Sequence, residues 1–570
     1  MLKKFIPTTG VPSHAKRRAF AFLCTLAATL HLSCNPSSNQ VERKPGTVDY
    51  AALEREASME PIHPGISGKR PFWNGYSKRF IHAPAFDFKE IPEATRYRFT
   101  FTAHADSQKY SFHAPQPYVA LTPIWDKLPF DRLFLKVEAE HPADKEKFLF
   151  VGEKKFIKSP AFSGVRTEPA FPYKESGYRN LRHLLQQPKV QYWLHHKRPD
   201  PSYPLWSHPS KLMSALTMGM IHYAQFFPDA ADVEQASEIA VIVAKFLLDM
   251  AEPADKPLAF WPPTYWDGIP RGDHPYFPNE IMTNTPAIAA EMLLDLFEFT
   301  QDKSWFDAAR RIADTYVQTQ LPSGTWPQIL HTETGAAVRK NKLVPTMVIE
   351  LFDRFRDDYK LQDYAAPRQR AFDWCMQFPV RTFNWQAQFE DTRPQSQYKN
   401  LSREEPTEFA RILFKDSKNH PEYIEIAEEL IRFAEDQFVV WDPTDPVLRF
   451  PWFRVGTKFN GTGLEDGGSD WFVPCALEQY KFYTPIARST QLMILAWLTA
   501  YEYTDKPVYQ AKAIALANAL TQAQAFHGGG EIPTHMRRHL PEKNWINNGV
   551  YPALTLIRNA DRLSTSQMGH

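Results

Sequence analysis

Residues 302–308 read Asp-Lys-Ser-Trp-Phe-Asp-Ala, and residues 505–511 read Asp-Lys-Pro-Val-Tyr-Gln-Ala. Both segments place Asp-Lys, an aromatic residue and an alanine at the same offsets, and each joins two stretches whose apolar residues recur at helical spacing. Similar pairs of helical stretches continue outward in both directions from about residue 176. A recurring pair of helices joined by a short turn predicts a repeat architecture.

Each predicted pair has an apolar first helix and a second helix rich in alanine. The first helices are 210–226, 284–300, 342–356, 404–414, 485–503 and 545–562. The second helices are 233–250, 305–320, 364–377, 421–437 and 508–524, with 178–187 available as the sixth. Six pairs predict a mainly α chain with an (α/α)6 toroid over residues 176–562, whose first helices line the inside.

A short-period pattern precedes the toroid. Tyr97, Phe99 and Phe101 alternate with polar residues, and a similar alternation recurs over residues 132–138. Period-two alternation is typical of half-buried strands. We therefore predict a small β-sandwich at 78–160, similar to fibronectin type III modules.

The lengths of the connections predict which face of the toroid carries the functional site. Turns within a pair are short, whereas the connections between pairs span about 251–283, 321–341, 378–403, 438–484 and 525–544. Long connections in compact domains are usually functional or disordered, and these are rich in tryptophan. Because the pairs alternate direction, all five should emerge on one face and form an aromatic cleft.

Composition excludes several other classes of protein. The 570 residues contain 66 Lys+Arg against 65 Asp+Glu, so no excess of positive charge favours nucleic acid. Four cysteines cannot form a disulfide framework in a chain of this size. Neither a Gly-rich nucleotide loop nor a Gly-x-Ser-x-Gly elbow occurs, which argues against kinases and esterases.

The first residues are typical of an export signal. Basic residues precede an apolar run at 19–32 that is too short to span a bilayer. Leu32-Ser33-Cys34 resembles a bacterial lipoprotein cleavage site, which predicts a signal peptide at 1–33, lipidation of Cys34 and a linker at 34–77. We expect a lipid-anchored protein of the bacterial cell envelope, with a periplasmic or secreted protein as the alternative. Cys375 and Cys475 are expected to be buried small hydrophobes.

The long connections also hold the candidate catalytic residues. Aromatic rings stack on the apolar faces of sugars, and a pair of carboxyl groups can cleave a glycosidic bond. The first predicted pair is Glu478 with Asp466, followed by Asp267 and Glu280. Predicted substrate-binding residues on or beside these connections are Trp261, Trp266, Arg271, Trp326, Gln328, Arg403, Trp471, Tyr480 and Arg488. The arginines favour a uronic-acid-containing glycan, because guanidinium groups grip carboxylates.

Two alternatives stay open at this stage. A polysaccharide lyase acting by β-elimination needs a Tyr or His base, for which Tyr483 and His331 are candidates, with Arg488 neutralising the uronate. A non-catalytic surface lipoprotein that only binds glycans would use the same rings. His527 and His535 lack the helical spacing of a zinc site, so no metal or cofactor is expected. The expected partner is a polysaccharide or oligosaccharide, with no nucleic acid and with membrane contact only through the lipid anchor.

Two motifs strengthen the carbohydrate hypothesis. The chain resembles toroidal carbohydrate-active enzymes that act on uronic-acid glycans. The resemblance lies in the helix-pair repeat and in two motifs, Gly324-Thr325-Trp326-Pro327-Gln328 and Leu477-Glu478-Gln479-Tyr480. Similar families are glycoside hydrolase family 154, the unsaturated glucuronyl hydrolases and, as a second possibility, the toroidal polysaccharide lyases. This resemblance covers about 176–562. It implies a toroid and glycan hydrolysis, with elimination as the alternative reaction.

Overall fold

The computed structural model describes residues 48–63, 68, 72–269, 277–389, 395–449, 470–539 and 544–564. The chain divides into two units, 1–48 and 49–570. The predicted signal peptide and the lipidation site Cys34 lie outside the described residues, and the fold below is that of the second unit. None of the helices within the described ranges is both long and apolar enough to cross a bilayer.

Helices make up most of the regular structure. In chain order they are α1 Tyr50–Ala57, α2 Thr122–Trp125, α3 Tyr173–Gln186, α4 Pro188–His196, α5 Pro209–Phe226, α6 Val233–Asp249, α7 Thr285–Thr300, α8 Lys303–Thr319, α9 Thr346–Asp357, α10 Ala365–Gln377, α11 Pro379–Thr382, α12 Glu404–Asp416, α13 Tyr423–Phe438, α14 Ala487–Thr504, α15 Pro507–Phe526, α16 Ile546–Arg558 and α17 Ala560–Ser564. Short 3-10 turns occupy Pro204–Ser207, Gln362–Tyr364 and Pro446–Leu448.

Six of these helices form a closed inner ring. Helices α5, α7, α9, α12, α14 and α16 contact one another in that order, and α16 contacts α5 to close the circle. Each inner helix also packs against an outer one, namely α6, α8, α10, α13, α15 and α3 in the same order. This arrangement is the (α/α)6 toroid, and the predicted first helices are the inner ones.

The two similar turns use their aspartates differently. The carboxylate of Asp302 accepts a 2.9 Å hydrogen bond from the Ser304 N–H and caps the start of α8. Asp505 instead ends α14 in the left-handed conformation, with φ of 54°, and Pro507 begins α15. Both solutions reverse the chain within a few residues, which explains why the turn within a pair is short.

The region before the toroid contains one sheet. Its strands are β1 Arg79–Phe80, β2 Tyr97–Ala103, β3 Lys109–Ala114, β4 Arg132–His141 and β5 Asp144–Lys158, in the spatial order β1-β5-β4-β2-β3. The second sheet that a sandwich requires is not found among the described residues, so the predicted β-sandwich is not confirmed. Non-sheet residues cover the apolar face instead: Trp125 of α2 stacks on Phe156 and donates to the Ile81 carbonyl.

This sheet is joined to the toroid through β1. The Arg79 guanidinium is fully buried and donates to the main-chain carbonyls of Asp436 and Val439 beside α13. It also forms a 3.0 Å ion pair with Asp445. These contacts fix the sheet against the outside of the ring, away from the inner helices.

The long connections meet at one end of the ring. Strands β6 Glu280–Met282 and β7 Ile329–His331 pair across the first and second connections, and β8 Val439–Val440 pairs with β9 Cys475–Ala476 within the fourth. Further bridges join Ser402 to Gln479 and Trp471 to Arg537. Because each connection leads into an inner helix, they surround the amino-terminal ends of the inner helices. Cys375 and Cys475 are buried and free, as expected.

Candidate active site

Four glutamates on three neighbouring inner helices form what we call the axial glutamate cluster. Glu291 belongs to α7, Glu350 to α9, and Glu404 and Glu408 to α12. Glu404 lies in the first turn of α12 and Glu408 one turn deeper, on the same helix face because residues four apart are neighbours. Glu350, Glu404 and Glu408 therefore lie near the end of the ring that the long connections surround, and Glu291 lies deeper along α7.

Glu408 is the most buried member of this cluster, with 3% of its surface exposed. Burial, together with the nearby carboxylates of Glu404 and Glu350, raises the pKa of Glu408 to about 8. The Thr346 hydroxyl donates a 2.7 Å hydrogen bond to Glu408 Oε2, and Arg488 acts in the opposite direction on the pKa. Glu408 therefore carries a proton near neutral pH.

Glu291 has a similar pKa but a different partner. Burial raises the pKa of Glu291 to about 7, although the Arg354 guanidinium donates a 2.7 Å hydrogen bond to Glu291 Oε2. Asp295 and Glu350 also raise it. The Glu350 carboxylate thus raises the pKa of both Glu291 and Glu408. Glu350 itself forms an ion pair with Arg411, with 3.6 Å between Oε1 and Nη1.

Glu405 has a capping role. The Ser402 Oγ accepts a 2.9 Å hydrogen bond from the Glu404 N–H and donates a 2.8 Å hydrogen bond to Glu405 Oε2. Ser-x-x-Glu at the start of a helix is the sequence of a capping box. Burial raises the pKa of Glu405 to about 8 as well. Its bond to Ser402 nevertheless commits this carboxyl to holding the first turn of α12.

Cations and rings accompany the cluster at the same end. The Arg488 guanidinium lies 4.4 Å from the ring centroid of Tyr551, and its Nη1 donates a 2.5 Å hydrogen bond to Gln491 Oε1. The Lys211 Nζ lies 4.7 Å from the ring of Trp545. Burial raises the pKa of Tyr551 above its ordinary value, although the positive charges of Arg488 and Lys211 act to lower it. Tyr551 and Trp545 are both half-buried, so part of each ring is accessible.

Deeper in the ring, the charges are paired. Asp295 Oδ2 lies 3.0 Å from His222 Nε2, and its Oδ1 lies 2.7 Å from Arg354 Nη2. Burial acts to raise the pKa of Asp295, but these two partners and Arg558 lower it below its usual range. This carboxylate is therefore ionised and held in place, unlike Glu408.

The predicted carboxylates that the structure describes belong to the long connections and not to the inner helices. Asp466 falls outside the described residues, and Asp267 is exposed. Glu280 faces His331 across the β6–β7 pair. The main-chain carbonyl of the half-buried Glu478 accepts a 3.0 Å hydrogen bond from Nη1 of Arg403, the residue before α12. The structure thus brings Glu478 near the start of α12, whereas Glu280 and His331 belong to strands β6 and β7 within the first and second connections.

The predicted catalytic residue Tyr483 and two predicted binding residues make contacts within the protein itself. The Tyr483 hydroxyl donates to the Gln437 main-chain carbonyl, and burial raises its pKa. The Tyr480 hydroxyl donates a 2.7 Å hydrogen bond to the Gln437 side chain. Arg403 is 1% exposed, so its guanidinium braces the Glu478 backbone. A phenol with a raised pKa that is already donating to a carbonyl is a poor general base.

The tryptophans are also mostly internal. Trp261 and Trp326 are fully buried, and their N–H groups donate to the main-chain carbonyls of Ile312 and Tyr316. Gln328 is 1% exposed and Trp471 is 8% exposed, while the half-buried Trp266 packs on Phe246. Arg271 lies outside the described residues. These rings thus pack inside the protein, because large apolar groups gain more from burial than from exposure to solvent.

Sequence reasoning overlooked the inner-helix positions. Glu350, Glu408, Lys211 and Tyr551 lie within helices, where their spacing fits the helical pattern and gives no separate sign of a site. The available signal was Glu404 and Glu408, two acids four residues apart at the start of a predicted inner helix. Within the described ranges, no group of three or more His, Cys, Asp or Glu side chains is arranged to hold a metal ion.

Comparison with known proteins finds similarity in solved structures. No protein-family model and no curated protein sequence matches the chain. A family 76 glycoside hydrolase from a bovine Bacteroides thetaiotaomicron strain is 10% identical with a TM-score of 0.44, covering 82% of this chain and 93% of that one. A cellobiose 2-epimerase from Spirochaeta thermophila is 13% identical with a TM-score of 0.45, covering 68% and 98%. An unsaturated glucuronyl hydrolase from Streptococcus agalactiae is 10% identical with a TM-score of 0.41, covering 68% and 90%. The toroid itself is assigned from the closed ring of helix contacts described above.

Proposed function

We propose that the chain is a glycoside hydrolase that cleaves a uronic-acid-containing glycan at the axial glutamate cluster, with Glu408 as the general acid. The observation that carries this proposal is the contrast within one helix turn: a buried, protonated Glu408 beside the more accessible Glu404, whose side chain is 14% exposed. Glycosidic cleavage needs one carboxylic acid to protonate the leaving oxygen and a second carboxylate to act as nucleophile or base.

The surroundings of the cluster favour a sugar substrate. The partly exposed rings of Trp545 and Tyr551 offer apolar faces on which a pyranose can stack. Arg488 and Lys211 lie close to these rings, and their positive charges would pair with a uronate carboxylate. Glu478 stays a second candidate for the acid, because its backbone is tied to the start of α12 through Arg403.

Elimination is the second candidate reaction, and Tyr551 is the observation that favours it. Both Arg488 and Lys211 lower the pKa of this phenol, and they could also neutralise the uronate carboxylate during removal of the adjacent proton. Burial opposes them and leaves the pKa of Tyr551 raised. Hydrolysis by the glutamates therefore ranks first.

One assay separates the candidates. Purified protein would be incubated with a panel of uronate polysaccharides and oligosaccharides, and both new reducing ends and ultraviolet-absorbing unsaturated ends would be measured. Hydrolysis predicts reducing ends without new absorbance, and these should be lost in Glu408→Gln but kept in Tyr551→Phe. Absorbance that depends on Tyr551 would establish a lyase, and binding without any product would establish a glycan-binding protein.

We also propose that the protein is exported and anchored by a lipid on Cys34, as its first residues predict. Expression in a bacterium with radiolabelled palmitate should label the wild-type chain, and Cys34→Ser should abolish the label. A wild-type chain without label would contradict the anchor.

A further inference from the structure

The outward face of the five-stranded sheet carries a group of cations, which we call the cationic face. It consists of Arg98 on β2, Lys109 on β3, Arg132 and Lys136 on β4, and Lys155 on β5. On β2 and β4 these side chains alternate with fully buried apolar ones, so the cations share the side opposite the core. All five cations belong to the sheet, and none belongs to an inner helix of the toroid.

The cationic face is concave. It lines a depression of about 550 Å³, to which Arg98, Lys109, Lys136 and Lys155 all contribute. The β4–β5 pairing shifts its register between Val137 and Glu138, and bulges of this kind bend a strand and increase its twist. A concave sheet face can contact a bound chain molecule from more than one side.

Positive charge exceeds negative charge on this face. Five cations stand against Glu138, Glu140 and Glu153. Glu138 is shared by Arg98 and Lys136 at 2.9 and 2.7 Å, and Glu140 pairs with Arg96 at 3.0 Å. Within the described part of the chain, no ion pair joins Lys109 or Lys155 to a carboxylate. Both lysines are exposed, so an anionic ligand can reach them.

The cations are spread out and have hydroxyl groups and a ring between them. The strand register sets Lys109, Thr102, Phe134 and Lys155 in one row across four strands. Three strand spacings separate the two lysines by about 14 Å. Phe134 is half-buried, with the Lys155 Nζ 5.3 Å from its ring. Separated charges with hydroxyls between them match a chain of sugars that carries carboxylates at intervals.

We propose that the cationic face is a second glycan-binding site, which holds a uronate-containing stretch of the polysaccharide outside the toroid. The choice of a uronate glycan rests on the proposed function. Nucleic acid is the poorer occupant, because the whole chain has a net charge of only +1 and provides little long-range attraction for a dense polyanion. A separate binding site would keep the enzyme on a polymeric substrate between cleavage events and raise its effective local concentration.

Affinity electrophoresis of the full chain in gels containing polygalacturonate tests this proposal. To keep the polymer intact, all proteins would carry Glu408→Gln. The triple variant Lys109→Ala, Lys136→Ala and Lys155→Ala should bind polygalacturonate at least ~10-fold more weakly than its parent, and binding by the parent should weaken with added salt. A matched control, Lys303→Ala, Lys415→Ala and Lys418→Ala, removes the same charge from exposed positions of the toroid and should leave binding unchanged.

Two results would overturn the second site. One is a triple variant that folds, by its thermal unfolding, and binds polygalacturonate within about twofold of its parent. The other is tighter binding of the parent to single-stranded DNA or to anionic phospholipid vesicles than to polygalacturonate. Neither readout depends on turnover, so failure of the proposed hydrolysis and failure of this site can be told apart. On the wild-type background, the triple variant should keep its turnover of short uronate oligosaccharides.

Discussion

Glu408 and Asp295 are both buried carboxyls on inner helices, yet their pKa values shift in opposite directions. Glu408, near the rim, has two acidic neighbours and a hydroxyl donor, and its pKa rises to about 8. Asp295, deeper in the ring, contacts His222 and Arg354, and its pKa falls. Burial acts on both to favour the neutral form, so the partners decide the outcome. The difference indicates that the ionised Asp295 stabilises the ring through its partners, while Glu408 near the rim retains its proton.

Removing the proton donor at the rim should have the largest effect. Glu408→Gln keeps the shape of the side chain and its hydrogen bond to Thr346 but cannot transfer a proton. We expect turnover of the cleaved glycan to fall by about 10²- to 10⁴-fold, the usual contribution of general acid catalysis. Initial rates of reducing-end release would measure it.

Glu291→Gln is the matched control for this substitution, because Glu291 is a buried glutamate with a raised pKa in the same cluster. Its carboxyl is bound by Arg354, so we expect less than a tenfold loss of turnover. The reverse order of effects would transfer the acid role from Glu408 to Glu291. Small and equal losses of turnover in both variants would favour Glu478 as the general acid.

Breaking the deep pairing should affect stability instead. Arg354→Ala leaves Asp295, Glu291 and Glu298 without the guanidinium that contacts all three. Loss of one partner from a buried ion pair costs several kcal/mol, and since Arg354 is partly exposed we expect a loss of about 3 kcal/mol in the free energy of unfolding. Urea unfolding followed by circular dichroism would measure it. An unfolding free energy within 1 kcal/mol of wild type, together with lost activity, would show that the deep network serves catalysis.

The toroid could be predicted closely because its determinants are local. Helical spacing and the short turns at Asp302 and Asp505 define the pairs, and the closed ring follows from their number. The burial of the candidate site residues could not be predicted in the same way, because residue type and loop position do not reveal burial. Trp261 and Trp326 were expected to contact a ligand but donate to backbone carbonyls in the core. Glu408 acquires its properties only from neighbours on other helices.

The pH dependence of the reaction should show the rim carboxyl directly. Because the pKa of Glu408 is raised to about 8, the acid is present below that pH and is lost above it. We expect kcat/KM to fall about tenfold per pH unit above pH 8. Ionisation of this buried group is also unfavourable, so its contribution to stability is complete below the ordinary glutamate pKa and disappears as the pH rises through 8.

Glu405→Gln is the control for this pH profile. The pKa of Glu405 is also raised to about 8, but Glu405 is bound to Ser402. The variant should therefore keep the fall in kcat/KM at alkaline pH. A variant whose profile becomes flat at alkaline pH would show that Glu405 supplies the catalytic proton.

The smallest expected effect comes from the cap that positions the rim. Ser402→Ala removes the hydroxyl that accepts from the Glu404 N–H and donates to Glu405. Loss of a helix cap costs about 1 kcal/mol, and the buried carboxyl of Glu405 loses its donor as well, so we expect a loss of about 1–2 kcal/mol in the free energy of unfolding. Glu408 lies one turn further along α12 and keeps its own bond to Thr346. Turnover should therefore change by less than about threefold, and Ser402→Thr, which restores the hydroxyl, should recover most of the stability. A loss of turnover as large as that of Glu408→Gln would mean that the first turn of α12 belongs to the catalytic machinery and that the division between capping and proton-donating glutamates is wrong.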